Sequence, residues 1–184
     1  MNLQHVNVKI FVDGELTVDQ EQFINIFHRL VAEQAMDQMM IDVADYRHVP
    51  AGPGVVMVGL EADYAMDHKD SRYGLRYNRK GALEGSNVDR MNQAYWAARN
   101  LCTLLESELD GLKFSETEFE LFFNDRALAP NTPETLAEAR PEMEAFLRDG
   151  LGQTEFELDF NNDPRSLFGA VVKLGQPVAA AATA

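Results

Sequence analysis

Residues 55–80 of the chain, VVMVGLEADYAMDHKDSRYGLRYNRK, have the pattern of a β-hairpin. With a four-residue loop in the middle, antiparallel pairing sets Asp63 opposite Arg76 and Tyr64 opposite Leu75. One face of the hairpin then carries opposite charges and the other carries apolar side chains, and both kinds of cross-strand pair stabilise a sheet. A shift of one residue would move every side chain to the wrong face. This hairpin predicts an antiparallel sheet whose apolar face meets a helix.

Outside the hairpin, apolar residues recur either at every second position or at helical spacing. Alternation of apolar and polar residues is typical of half-buried strands, and spacings of three and four residues are typical of helices. The predicted strands span residues 6–12, 40–46, 55–66, 72–80, 119–123, 156–160 and 167–174, and the predicted helices begin near residues 18, 87 and 133. We therefore expect an α+β fold with about seven mostly antiparallel strands and three helices around one core.

Two parts of the chain have similar patterns. Residues 9–14 resemble residues 120–125, and a capped helix follows each of these stretches. Units of about 6–60 and 117–175 both have the order βαββ, with the hairpin strand and helix of residues 72–109 between them. The sequence therefore predicts two pseudo-repeated βαββ units around one core.

The chain length of 184 residues suits one domain with a single core. Residues 1–176 contain all the predicted helices and strands, and we expect them to form that α+β domain. The last residues, 177–184, are small and follow no pattern, which predicts a flexible C-terminal tail.

The second predicted helix has a start signal and a wide apolar surface. Ser86 can cap the helix, and Asp89 fills the acidic position of a capping box. Two apolar stripes follow at spacings of three and four residues, so the helix is expected to be buried on more than one side. The pattern predicts that residues 88–105 contact the sheet and also mediate self-association or binding to another protein.

The composition is that of an acidic globular protein. The chain has 16 Lys+Arg and 30 Asp+Glu, a net charge of −14 at pH 7, and 46% hydrophobic residues. Nucleic-acid-binding proteins carry a basic surface, so the charge argues against that class. The longest aliphatic run, residues 55–60, is too short for a membrane span, and the single Cys102 forms no internal disulfide. A soluble protein of the reducing cytoplasm is therefore the expected class.

The basic residues are concentrated in one stretch, since six of the 16 Lys+Arg lie within residues 69–90. Acids of the hairpin can pair with the first of these cations, which is common on exposed sheets. Arg79, Lys80 and Arg90 have no assigned partner in the predicted hairpin. The helix start at Ser86 is close to them in sequence and offers free backbone amides. These four residues are the candidates for binding a phosphate or carboxylate.

The sequence contains no motif for catalysis, a metal or a cofactor. The four histidines do not have metal-ligand spacing. The lone Cys102 lies on an apolar helix stripe, where cysteine is usually unreactive packing. Acidic pairs such as Asp42 and Asp45 are expected by chance in a chain with 30 acids.

Two functional hypotheses follow from these observations. The leading hypothesis is a non-catalytic binding or assembly protein, either a homo-oligomer or the partner of another protein. It rests on the wide apolar helix, the repeated scaffold and the missing catalytic groups. The alternative is an enzyme or carrier that binds a small anionic ligand at residues 72–90.

Overall fold

Eight antiparallel strands form one sheet and three helices pack on it, in a computed structural model that describes residues 1–50 and 52–179. The strands are β1 (Val6–Val12), β2 (Met40–Asp45), β3 (Val55–Gly59), β4 (Ala62–Asp67), β5 (Gly74–Arg79), β6 (Phe114–Phe123), β7 (Phe156–Phe160) and β8 (Phe168–Leu174). The helices are α1 (Glu21–Glu33), α2 (Asn87–Glu108) and α3 (Pro133–Ala145), with a 3-10 turn at Lys69–Ser71 and a π-helical turn at Phe146–Gly150. The predicted α+β class is confirmed.

One strand more than predicted is present because residues 55–66 form two strands, β3 and β4. The side-chain oxygen of Gln38 accepts hydrogen bonds from the backbone amides of Glu61 (3.1 Å) and Ala62 (2.8 Å) at the turn between them. Gly59 suits this turn, since a β-carbon there would lie 2.3 Å from the carbonyl oxygen of Ala62. The side chain of Gln38, which precedes β2, therefore stabilises the turn that divides residues 55–66 into two strands.

The strands are ordered β2-β3-β4-β5-β1-β6-β8-β7 across the sheet. Helix α1 packs on β2 and β3, α2 packs on β1 and β5, and α3 packs beside α2. Val8 and Ile10 of β1 belong to the hydrophobic core between the sheet and the helices. Lys9 lies between them and points to the opposite face, because side chains alternate along a strand. We call this opposite side, which carries none of the described helices, the helix-free face.

The hairpin of β4 and β5 has a register two residues away from the predicted one. Tyr64 pairs with Tyr77 rather than with Leu75. The connection is longer than four residues and includes Asp70 and Ser71, which adopt left-handed backbone angles (φ 58° and 59°). A shift of two residues leaves every side chain on its predicted face. Tyr64 and Tyr77 are therefore buried together as expected, with ring centroids 5.2 Å apart.

The predicted pairing of Asp63 with Arg76 is wrong because of this shift. Asp63 pairs with Lys80, and Arg76 pairs with Asp67, each across 2.7 Å. Both ion pairs are diagonal, since Asp63 lies directly opposite Asn78 and Asp67 directly opposite Gly74, and each acid contacts the cation two residues later in the chain. The acids of β4 still pair with cations that follow them in the chain, but each acid has a different partner from the predicted one.

The two similar stretches meet at the centre of the sheet. Strands β1 and β6 are antiparallel neighbours, and Lys9 lies opposite Glu120. Each strand is followed by a helix and then by a strand at an outer edge of the sheet, β2 or β7. The duplication itself, with its units of 6–60 and 117–175, stays a prediction from the sequence.

The capping box predicted for α2 is present. The Ser86 hydroxyl accepts a hydrogen bond from the amide of Asp89 (3.1 Å), and the Asp89 carboxylate accepts one from the amide of Ser86 (2.8 Å). Strands β1 and β5, helix α3 and the π-helical turn pack on the apolar stripes of α2. Packing within one chain accounts for this apolar surface, and self-association through residues 88–105 stays a prediction.

The chain after β8 is only partly described. Val178 packs against the core, although it lies in the predicted tail. Residues 180–184 of that tail lie outside the described residues. Within residues 1–50 and 52–179, none of the helices has both the length and the apolar character needed to cross a bilayer.

Candidate functional site

Arg79 and Lys80, two of the predicted anion-binding residues, contact carboxylates that follow β3. Arg79 pairs with Glu61 (3.1 Å) and donates a hydrogen bond to the carbonyl oxygen of Gly81 (2.9 Å). Lys80 pairs with Asp63 (2.7 Å). These contacts connect the end of β5 to the turn between β3 and β4.

Arg90 lies in the first turn of α2 and is only 8% exposed. Its guanidinium donates five hydrogen bonds of 2.7–3.2 Å. The acceptors are the carbonyl oxygens of Leu3, Leu83 and Gly85 and the side-chain oxygens of Asn2 and Asn87. Arg90 therefore joins the N-terminal segment to the start of α2.

The four predicted anion-binding residues all have contacts within the chain. Arg79 and Lys80 have carboxylate partners, Ser86 takes part in the capping box, and Arg90 is bound to five oxygens. A cleft of about 630 Å³ lies at one end of β2, and none of the four residues lines it. Anion binding at residues 72–90 stays a prediction. An anion bound there would compete with carboxylate and carbonyl oxygens of the protein for the same donor groups.

A buried charge cluster of Lys9, Asp67 and Arg76 lies on the helix-free face. The Asp67 carboxylate is 2.7 Å from the Lys9 ammonium and 2.7 Å from the Arg76 guanidinium. The side chains of Lys9 and Asp67 are 3% and 2% exposed. Lys9 also donates a hydrogen bond to the carbonyl oxygen of Lys69 (3.1 Å), which brings the 3-10 turn onto the cluster. One carboxylate thus pairs with two cations, of which Lys9 is shielded from water and Arg76 is 25% exposed, so the cluster keeps one excess positive charge.

The buried charge cluster is absent from the sequence-based candidates because its members come from three strands. Lys9 and Asp67 are separated by 58 residues. A signal was present, since Lys9 lies among apolar residues and a lysine in a buried strand needs a counter-ion. The pattern of β1 alone does not indicate which of the 30 acids supplies it.

An exposed apolar surface lies at the start of β2. Met39, Ile41 and Leu60 are 61%, 55% and 59% exposed, and we call them the β2 patch. The amide of Leu60 donates a hydrogen bond to the carbonyl oxygen of Met39 (2.9 Å), so the three residues lie at one end of the strand. Strand β2 is the outermost strand, and its outer backbone groups have no strand partner in the described part of the chain.

The cleft of about 630 Å³ lies at the other end of β2. Tyr46 and Val49 line it and are 44% and 40% exposed. His68 and Tyr73 also line it, with ring centroids 4.3 Å apart. Exposed apolar side chains therefore flank the edge strand at both of its ends.

The charges along β2 are mostly acidic. Asp45 pairs with Arg47 (2.7 Å), and the hydrogen bonds from Arg47 lower the pKa of the Asp45 carboxyl to about 2. Arg47 also pairs with Glu21 (3.0 Å). No cation of the described residues lies within ion-pair distance of Asp37 or Asp42. This edge of the sheet therefore carries negative charge without a counter-ion.

Cys102 offers a test of how α2 is packed. It is a free cysteine in the core, and burial raises the pKa of its thiol well above the ordinary value. Because the thiolate is the reactive form, we expect a charged thiol reagent to react at least about 100-fold more slowly with the folded protein than with the protein in urea. Absorbance of the released thiol dye measures both rates. Rapid reaction of the folded protein would contradict the burial of α2.

Comparison with known proteins gives no indication of function, so the function is inferred from the structure of the chain. No family model, no curated protein and no solved structure matches the chain. Within the described ranges, no group of three or more His, Cys, Asp and Glu side chains is placed to hold a metal ion. The β2 edge and the helix-free face are the features that packing within the chain leaves unexplained.

Proposed function

We propose that the chain is a non-catalytic binding protein that takes up an extended segment of a partner protein along the edge of β2. The observation that carries the proposal is that five of the six large exposed apolar side chains in the described residues lie in β2 or beside its two ends. The outer backbone groups of β2 also lack a strand partner among those residues. An added strand would pair with these groups, replacing the hydrogen bond that the Val43 amide donates to the Asp42 carboxylate (2.8 Å), and its side chains would contact the apolar residues. Apolar surfaces of this kind often mark interaction sites.

Charge favours a basic partner segment over a second copy of the chain. Asp37 and Asp42 have no cation within ion-pair distance in the described residues, and the whole chain has a net charge of −14. A second copy paired through the same edge would bring these acids together, and like charges on facing strands are destabilising. A segment with apolar side chains at alternate positions and Lys or Arg between them matches both the β2 patch and the acids.

The proposal places the protein in the cytoplasm. Cys102 is the single cysteine of the sequence and is not in a disulfide. A chain that folds without disulfides suits a reducing compartment.

Selection of random peptides displayed on phage, with the folded protein as bait, tests the proposal. We expect the recovered peptides to alternate apolar residues with Lys or Arg, because side chains of an added strand alternate between two faces. Amide hydrogen exchange in β2 should slow when a recovered peptide is bound, since its outer amides gain acceptors. Sedimentation of the protein alone reports any self-association, which would favour a second copy as the occupant.

The variant Ile41→Lys is expected to weaken binding of a recovered peptide by about tenfold or more, because it removes an apolar contact and adds a like charge. Leu128→Lys is the matched control, since Leu128 is 53% exposed and lies between β6 and α3. Fluorescence anisotropy of the labelled peptide measures both affinities. Equal affinity of the wild type and Ile41→Lys, or recovered peptides without alternation, would overturn the proposal.

A further inference from the structure

Glu120 presents a carboxylate without a counter-ion to a cavity on the helix-free face. The cavity has a volume of about 320 Å³, and its lining includes Glu120, Phe122, Asp159 and Val171. Within the described residues, no cation lies within 4.0 Å of the Glu120 carboxylate and no group donates a hydrogen bond to it. Burial raises the pKa of Glu120, because the ionised carboxylate is partly removed from water.

The neighbouring lysines contact other groups. Lys9 is the direct cross-strand neighbour of Glu120, but its ammonium lies 2.7 Å from the Asp67 carboxylate. Lys69 lines the cavity, yet its side chain is 57% exposed and its ammonium lies 3.8 Å from Asp70. The Glu120 carboxylate is therefore open to a cation that enters the cavity.

An apolar residue separates two carboxylates along the cavity. Val171 lies opposite Glu120 of β6 and also opposite Asp159 of β7. Because neighbouring strands are about 4.8 Å apart, the Cα atoms of Glu120 and Asp159 are about 10 Å apart on the same face. Phe122 lies two residues from Glu120 on that face and adds an aromatic surface to the lining.

We propose that this cavity binds an organic cation, a primary ammonium or guanidinium group carried on a short apolar chain. The cation donates hydrogen bonds to Glu120, its chain contacts Val171, and the ring of Phe122 attracts the positive charge. A second ammonium at the far end of the chain reaches Asp159, so a diamine binds more tightly than a monoamine. The cavity volume of about 320 Å³ is in the range of small-molecule sites. This site is independent of the β2 edge, because β2 is the first strand in the order of the sheet and the cavity is lined by β6, β8 and β7 at the other edge.

Titration of the isotope-labelled protein with 1,5-diaminopentane, followed by NMR of the backbone amides, tests the proposal. We expect saturable shifts at Glu120 and Val171. Pentan-1-ol controls for apolar contact alone, and sodium chloride controls for ionic strength. N-acetyl-lysine amide carries one ammonium on a similar chain, so its affinity relative to the diamine distinguishes a protein lysine from a free diamine as the ligand.

The variant Glu120→Gln is expected to weaken diamine binding by about tenfold or more, the loss typical of a charge-assisted hydrogen bond. Asp159→Asn should reduce the affinity for the diamine to that for pentylamine. Lys69→Met should tighten binding, because it removes a competing cation from the lining. Glu157→Gln is the matched control, since it removes the same charge from β7 outside the lining of this cavity.

Three results would overturn this inference. They are equal shifts with pentan-1-ol, a lack of saturation up to the solubility limit, and full affinity in a Glu120→Gln variant whose spectrum shows the native fold. Tighter binding by Lys69→Met would support it independently, because a purely structural role of Glu120 does not produce that effect.

Discussion

Replacement of Arg90 by methionine is expected to lower the free energy of unfolding by about 3–5 kcal/mol, because five buried or partly buried oxygens lose a donor at once. Arg90 is 8% exposed, and its guanidinium donates to five oxygens. Methionine occupies much of the volume of the arginine stem but donates no hydrogen bond. The buried carbonyl oxygen of Leu3 would then lie without a partner, whereas that of Leu83 keeps a hydrogen bond from the Gln4 side chain (3.2 Å). Among the described residues, the N-terminal segment would keep only its contacts with Asn87 as an attachment to the start of α2.

Urea unfolding followed by circular dichroism measures this loss. Arg90→Lys keeps the charge but lacks the planar fork of five donors, so we expect an intermediate loss of stability. Arg29→Met is the matched control, since Arg29 is an exposed arginine on α1 that pairs with Glu108, and exposed ion pairs contribute little. Similar free energies of unfolding for Arg90→Met and Arg29→Met would contradict the anchoring role of Arg90.

Features that depend on neighbouring residues were predictable from the sequence. The capping box of Ser86 and Asp89 located the start of α2, because both partners lie within one turn of helix. Alternation placed Tyr64 and Tyr77 on the apolar face of the hairpin, and both are buried. These predictions required only the local periods of helices and strands.

The register of the hairpin could not be predicted, because it depends on the geometry of the connection. Asp70 and Ser71 both have left-handed backbone angles, a conformation that glycine would have signalled. The longer connection shifts the pairing by two residues without changing any face, so the apolar pattern fits both registers equally well. The register determines ion pairs such as Asp63 with Lys80, so a prediction with the wrong register also gave the wrong ion-pair partners.

The candidate sites depend on contacts between distant segments, which local patterns do not contain. Arg90 had no partner in the predicted hairpin, although Asn2 and Leu3, at the start of the chain, supply two of its acceptors. The β2 patch is exposed because β2 is outermost in the sheet. Alternation in residues 40–46 predicts a strand but does not indicate which strands lie beside it.

The buried charge cluster should be the second large contributor to stability. Asp67→Asn is expected to reduce the free energy of unfolding by about 3–5 kcal/mol, because it leaves the buried Lys9 ammonium without a counter-ion. Asparagine is close in size to aspartate, so the measured loss reports on the charge rather than on a cavity. Arg76 should contribute less to the loss, since its side chain is 25% exposed and can turn toward water.

Lys9→Met in the Asp67→Asn background is expected to restore most of the lost stability, because it replaces an unpaired buried charge with an apolar side chain of similar length. Urea unfolding of the wild type, the two single variants and the double variant measures the coupling between the two positions. Additive effects would show that the Lys9 ammonium is stabilised by another group, contrary to its 2.7 Å contact with Asp67. A large coupling means that the cluster holds β1 to the end of β4 through one carboxylate, so an apolar pair at these positions would give a sheet of similar stability.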